Sequence, residues 1–158
     1  PADIAVTSLE IADERFVASL AVKSCTYTCR IATDPAAALF SRPYTCVVNE
    51  SLDLESMQQA AQLLIGTHDF AAFSNGRTRK STVRTVETIK INREDQLIQI
   101  QLTANSFLRH MPQLLAGTIL TAGKEKKTDG TTLTLAGVES AAPACPSHAF
   151  TLTDVQLR

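Results

Sequence analysis

The chain has 158 residues, enough for one domain with a sizeable core, and its apolar share of 44% is that of a folded globular protein rather than a disordered one. A formal net charge of −1 rules out attraction to phosphate through overall charge, and the absence of Trp argues against broad stacking platforms for single strands. The average hides an asymmetry: residues 1–70 hold nine acids against four bases, whereas 77–93 hold Arg77, Arg79, Lys80, Arg84, Lys90 and Arg93 against Glu87 alone. That stretch is either a local basic patch or a solvated loop and strand face.

Taken in order, Pro1 is an unusual start and leads at once into alternation, so the chain reads as a piece of a longer polypeptide. Asp3–Glu10 is expected to form a strand with Ile4 and Val6 on one face. Phe16–Ile31 reads as a long second strand bent near Lys23–Ser24, with Cys25, Tyr27 and Cys29 on the core side. Pro35 and Pro43 frame a connection around Ala36–Phe40, and Tyr44–Val48 is a short strand. Asp53 is placed to cap a helix over Leu54–Ile65 whose stripe is Met57, Ala60, Ala61, Leu64 and Ile65, with Gly66 as its stop.

His68–Phe73 reads as a compact turn anchoring two phenylalanines, and Asn75–Ser81 as a basic loop with Gly76. Thr82–Ile91 and Leu97–Thr103 form a hairpin across Asn92–Gln96, with Ile98, Ile100 and Leu102 on one face. The stretch Thr103–Gly123 carries apolar residues at 107, 108, 111, 114, 115, 119 and 122, three or four apart, and predicts a buried helix. Pro112 would break a helix interior but not a first turn. The regular helix is therefore expected to start near Met111–Pro112, after a looser turn over Ser106–His110. A Lys-rich connection Lys124–Thr132, a short helix or turn near Leu133–Val138, a Pro-rich loop Ala142–Ser147 and a last strand Phe150–Leu157 complete the chain. Residues 1–158 then make a single α+β domain, a mostly antiparallel sheet with helices on one face.

Four cysteines without paired Cys-x-x-Cys spacing read as reduced thiols rather than a zinc site or a disulfide scaffold. No apolar run reaches membrane-spanning length. Neither phosphate-cradling glycine motif is present. His68, beside Asp69, reads as a locally hydrogen-bonded turn residue. His110 is either a capping or packing histidine or a ligand contact.

Four segments in order carry more information than any of these. They are P-x-D-I-A-V at Pro1–Val6, F-x-A-x-x-x-x-K-S-x-T-Y at Phe16–Tyr27, G-T-H-D-F-x-x-F at Gly66–Phe73, and N-x-F-L-x-H-M-x-x-x-x-x-G-T-[IL]-L at Asn105–Leu120. Each is weak alone; in this order and spacing the chain resembles the C-terminal half of the TruA family of tRNA pseudouridine synthases. The resemblance implies isomerisation of uridine to pseudouridine in the tRNA anticodon stem-loop, with no metal or organic cofactor. An essential aspartate acts on the sugar, an arginine pairs with it, and a tyrosine packs on a base flipped out of its stem. It also implies a homodimer whose cleft uses both halves, tRNA as partner, and a cytoplasmic (or organellar matrix) location.

By position, Tyr27 matches the stacking tyrosine, and Asn105, Phe107, Leu108, His110 and Met111 match the segment lining the active site. Arg77, Arg79, Lys80, Arg84 and Arg109 fall where RNA contacts are expected. The departures are equally specific. The R-T-D-x-G-V-H segment that bears the aspartate is absent, so this chain has no catalytic residue of its own and would be inactive alone, completed by a missing N-terminal half. The F-H-A-R pattern reads Phe16-Val17-Ala18-Ser19, Cys29 stands for the second aromatic of Y-x-Y, and Ala149 stands for a glycine near the end. Gln113 replaces the arginine that should face the carboxylate, and it supplies neither charge nor a bidentate fork. These losses leave a second expectation: a catalytically inactive domain that binds RNA or protein.

Overall fold

The structure is a computed structural model that describes residues 4–74, 81–124 and 143–158. After a helical turn α1 (Ala18–Ala21) come β1 (Val22–Ala32), β2 (Cys46–Val47), α2 (Leu54–Leu64), β3 (Gly66–Asp69), β4 (Val83–Glu94), β5 (Leu97–Ala104), α3 (Met111–Lys124) and β6 (Phe150–Leu157). The strands make one six-stranded sheet in the order β2-β1-β5-β4-β3, with β6 also paired to β1. All pairings are antiparallel except the two-position contact of β1 with β2. The α+β expectation holds.

The alternation in β5 decides which face is covered. Ile98, Ile100, Leu102 and Ala104 are fully buried, while Gln99, Gln101 and Thr103 face the other way. Register then extends the core face to neighbouring strands: Cys29 and Ile91 both pair with Ile100, and Tyr27 and Ile89 both pair with Leu102. The helices pack there, with Met57, Ala61 and Leu64 from α2 and Met111, Leu115, Ala116 and Ile119 from α3 in the same core. The opposite face is polar, and Thr26 and Thr103 hydroxyls pair across it at 2.9 Å. Asp53 caps α2 as expected, its carboxylate accepting from the backbone N–H of Glu55 and Ser56 at 3.3 and 3.2 Å. Such a cap contributes about 1 kcal/mol.

Several expectations need correction. Residues 4–13 form neither strand nor helix, and Ile4, Val6, Leu9 and Ile11 lie exposed. Alternation makes a strand only where a neighbour takes up its backbone hydrogen bonds, and no described strand pairs with this segment. The second strand starts at Val22, because 18–21, built of small and helix-favouring residues, makes a helical turn. Where the bend is expected, the pairing with β6 shifts register between Val22 and Ser24. The compact turn at His68 is instead an edge strand, Gly66–Asp69, followed by a 3-10 turn Ala71–Phe73, although it does bury both phenylalanines. The hairpin connection is shorter than expected, because Asp95 adopts a φ of 51° and lets Glu94 pair with Leu97. The main helix begins at Met111, with Pro112 in its first turn, as the proline placement demands. The loop bearing Arg77, Arg79 and Lys80, most of the Lys-rich connection, and the turn near Leu133–Val138 lie outside the described residues.

Candidate active site

The core side of β1, the segment between β5 and α3, and the start of β6 meet around a cavity of about 270 Å³. It is lined by Tyr27, Phe107, Leu108, Arg109, His110, Pro112, Gln113 and Phe150. Each wall has a local cause. Tyr27 sits mid-strand, held on one side by β5 and on the other by β6, where it pairs with Leu152. Beyond Ala104 the chain leaves the sheet, and the Asn105 side chain fixes the exit. Its backbone N–H donates to the Thr85 carbonyl at 3.1 Å, and its Oδ1 accepts from the Thr85 N–H at 3.2 Å. Asn105 is thus at the sheet end rather than on the cavity wall, bonded to β4.

From that anchor Phe107 turns inward and meets the Tyr27 ring edge-on. Leu108 is buried beneath, its carbonyl accepting from the Met111 N–H at 3.1 Å. His110 has a φ of 61°, in the left-handed region that costs a non-glycine residue about 1–2 kcal/mol. That conformation turns the chain into α3, where the His110 carbonyl accepts from the Leu114 N–H at 3.1 Å. The backbone of His110 therefore does the capping. Its imidazole is exposed at the cavity and makes no hydrogen bond among the described residues.

Gln113, in the first turn of the helix, presents an Oε1 that is buried without a hydrogen-bond partner among the described residues. A buried, unpaired acceptor costs about 1–3 kcal/mol, so a donor entering the cavity would find it waiting. Arg109 brings a guanidinium to the same space with no ion pair among the described residues. No carboxylate lines the cavity among the described residues.

The remaining expected site residues behave differently. Arg84 folds back on its own chain, donating to the Ser81 and Val83 carbonyls at 2.9 and 2.7 Å. His68 is structural in this geometry, its Nε2 3.0 Å from the Ile65 carbonyl oxygen and its ring edge-on to Phe70. Asp69 accepts from the Ala71 N–H at 3.0 Å and from the Thr82 hydroxyl, which ties β3 to the approach of β4. Phe150 and Pro112 were not expected on the wall. Phe150 could have been found from its place at the start of the last strand.

Three of the four cysteines, Cys29, Cys46 and Cys145, come together in the core, whereas Cys25 lies against the Ala104 carbonyl. Cys29 and Cys145 bring their Sγ atoms to 3.7 Å, and the Cys46 thiol interacts with Cys145. All are free thiols. The hydrogen bond to Cys145 and burial push the Cys46 thiol well up, and the bond to Cys29 does the same for Cys145. Among the described residues, no group of three His, Cys, Asp or Glu is arranged to hold a metal ion. No helix among them is long and apolar enough to cross a membrane.

A family model described as tRNA pseudouridine synthase matches residues 60–155, from the middle of α2 to the last strand. The chain belongs to the tRNA pseudouridine synthase family. It is 39% identical over 126 residues to tRNA pseudouridine synthase A 1 of Clostridium tetani, covering 79% of this chain and 51% of that one. It is 37% identical over 124 residues to tRNA pseudouridine synthase A 2 of Bacillus cereus, covering 78% and 51%. With tRNA pseudouridine synthase A of Bacillus pumilus the identity is 34% over 159 residues, covering 98% and 64%. The chain thus spans about half the length of the first of these synthases. The matched region holds every wall of the cavity except Tyr27.

Proposed function

We propose that this chain is the C-terminal half of a tRNA pseudouridine synthase that modifies uridine in the anticodon stem-loop. In this reading it supplies the base-holding wall of the active site, and a second, N-terminal half supplies the nucleophilic aspartate. The observation that carries this is the cavity at the start of α3, where Tyr27, Arg109, His110 and Gln113 surround one space and no carboxylate lines it among the described residues.

The division of labour follows from those side chains. A uracil leaving its stem loses stacking, and the Tyr27 ring, fixed edge-on by Phe107, offers a replacement surface. Gln113 Oε1 accepts from a base N–H or from a protonated carboxyl group. Arg109 sits at the mouth, where a phosphate or the incoming carboxylate would stand. The aspartate attacks or deprotonates the sugar, the uracil separates from C1′, turns, and rejoins through C5, releasing the C5 proton. No metal or organic cofactor enters this scheme. The Asn75–Ser81 loop, with Arg77, Arg79 and Lys80, is assigned to the RNA backbone, and the working protein to a homodimer in the cytoplasm.

Tritium release from tRNA labelled at uridine C5 tests the reading. This chain alone should give no release, and the complete polypeptide should release tritium at a rate that vanishes when the upstream aspartate is changed to Asn. Turnover by this chain alone would overturn it. The second reading, an inactive RNA- or protein-binding module, draws on Gln113 in the arginine position and Cys29 in the aromatic one. A complete polypeptide that binds tRNA but releases no tritium would establish that reading instead.

A further inference from the structure

The connection between β1 and β2 turns the usual order of burial inside out. Ala38, its smallest apolar type, is fully buried, whereas Phe40 is 97% and Tyr44 61% exposed. Slack does not explain this. The Thr33 N–H donates to the Gln96 carbonyl at 2.9 Å, and the Ala36 N–H to the Asp34 carboxylate at 2.9 Å. The Ser41 N–H donates to the Ala38 carbonyl at 3.0 Å, and the Tyr44 N–H to the Ser41 carbonyl at 2.8 Å, closing a 3-10 turn over Arg42–Tyr44 with Pro43 inside it. Buried Thr45 then donates its hydroxyl to Ser41 Oγ at 3.2 Å, and β2 follows. A hydrogen-bonded scaffold therefore holds two aromatic rings out in solvent, with the Arg42 guanidinium between them in sequence. The turn Arg42–Tyr44 packs against the turn Ser147–Ala149, and the next residue, Phe150, walls the cavity.

We propose that Phe40, Arg42 and Tyr44 form a local two-ring stacking platform, narrower than the broad platforms the composition argues against, for unpaired bases of the RNA whose target nucleotide enters the cavity. This rests on the RNA-modifying function proposed above. Aromatic rings alternating with a guanidinium are the chemistry that takes up unstacked bases of any sequence together with their phosphates. A scaffold fixed in advance spares most of the ordering cost of binding. The position also suits the task, because flipping one base from a stem-loop leaves its unpaired neighbours just outside the pocket that holds it. Arg42 has no ion pair among the described residues, which leaves its charge available to a phosphate.

Because this chain contains no Trp, Phe40→Trp introduces its sole indole, which can be read as the difference from the parent protein. The experiment uses the complete polypeptide, with binding of unmodified tRNA transcript followed in parallel by the anisotropy of a label on the RNA. The expected result is an indole open to iodide without RNA and quenched on titration with tRNA. Phe40→Ala and Tyr44→Ala should each weaken binding roughly tenfold, with an unchanged melting temperature. An indole already blue-shifted and shielded from iodide before RNA is added would show that protein covers the segment, and would overturn the platform. Bound tRNA with an unquenched indole would overturn it while leaving the proposed function standing. No binding of tRNA at all would overturn both.

Discussion

The Tyr27 ring meets the Phe107 ring edge-on, with centroids 5.4 Å apart and planes at 84°. One residue comes from the middle of the sheet and the other from the exit of β5, so the contact ties the irregular segment before α3 to a strand paired on both sides. It also sets the plane of Tyr27 across the cavity. An edge-to-face pair contributes about 0.5–1.5 kcal/mol beyond its burial, but its larger effect should be on ring orientation.

Phe107→Leu keeps an apolar side chain and removes the edge. We expect a stability loss of about 1 kcal/mol. Tyr27→Phe should keep most of the kcat/KM for tritium release by the complete enzyme, whereas Tyr27→Ala should lose at least about tenfold, on the scale of one base–aromatic stack. Steady-state kinetics checks both. An unchanged kcat/KM for Tyr27→Ala would remove the ring from substrate binding.

Gly117 marks a close approach that the sequence alone does not explain. A Cβ there would lie 2.2 Å from the Pro143 carbonyl oxygen. The neighbouring Cys145 N–H donates to the Gln113 carbonyl at 3.1 Å, so the loop before β6 lies directly on α3. Gly117→Ala must push that backbone away. We expect a cost of about 1–3 kcal/mol, a fall in melting temperature of some 3–10 °C, and faster amide exchange at Cys145. A melting temperature equal to the parent's would show that the loop does not pack there.

What could be read from the residues, and what could not, divides along the same physical line. The α2 cap at Asp53, the face of Ile98, Ile100 and Leu102, and the start of α3 beside Pro112 follow from local chemistry, and the structure has all three. The fully exposed Ile4–Ile11 stretch defeats the same reasoning. Its alternation is real, but strand formation depends on a partner, and periodicity carries no information about one. The cavity was legible in part: Tyr27, Phe107, Leu108, Arg109, His110 and Gln113 do converge. Phe150 and Pro112 entered through tertiary packing. The left-handed His110 is a backbone fact that no side-chain pattern announces.

The buried thiols give the fold a pH dependence of definite sign. Cys145 and Cys46 are both pushed up from an ordinary value of 9.0. A thiol raised in the folded state remains neutral there while its unfolded counterpart ionises. The stability it contributes is therefore complete below pH 9 and lost as pH rises beyond it. Each thiol should remove about 1.4 kcal/mol per pH unit above that point. Urea unfolding under reducing conditions should be level between pH 7 and 8.5 and fall steeply by pH 10.5. Cys145→Ala should start lower, through its cavity, but decline less steeply. Parallel slopes for the two proteins would contradict this account.

Gln113 is where the proposed activity can be tested most directly. Its Oε1 is buried without a partner among the described residues, and an ionised carboxylate facing it could accept only from the side-chain Nε2–H and would meet no positive charge. An aspartate entering from the other half would therefore be less readily ionised than one facing an arginine. Gln113→Arg should lower that aspartate's pKa by about 1–3 units. Since the ionised form is the reactive one, the acid limb of the pH profile of kcat/KM should move to lower pH by the same amount, with tritium release at pH 6 rising most. The chain alone should lose about 1–3 kcal/mol of stability, because the new guanidinium is partly desolvated beside Arg109 with no anion to meet it. Both readouts are needed. A lower stability with an unmoved acid limb would mean that no carboxylate faces position 113, and that the catalytic group must reach the cavity from another side.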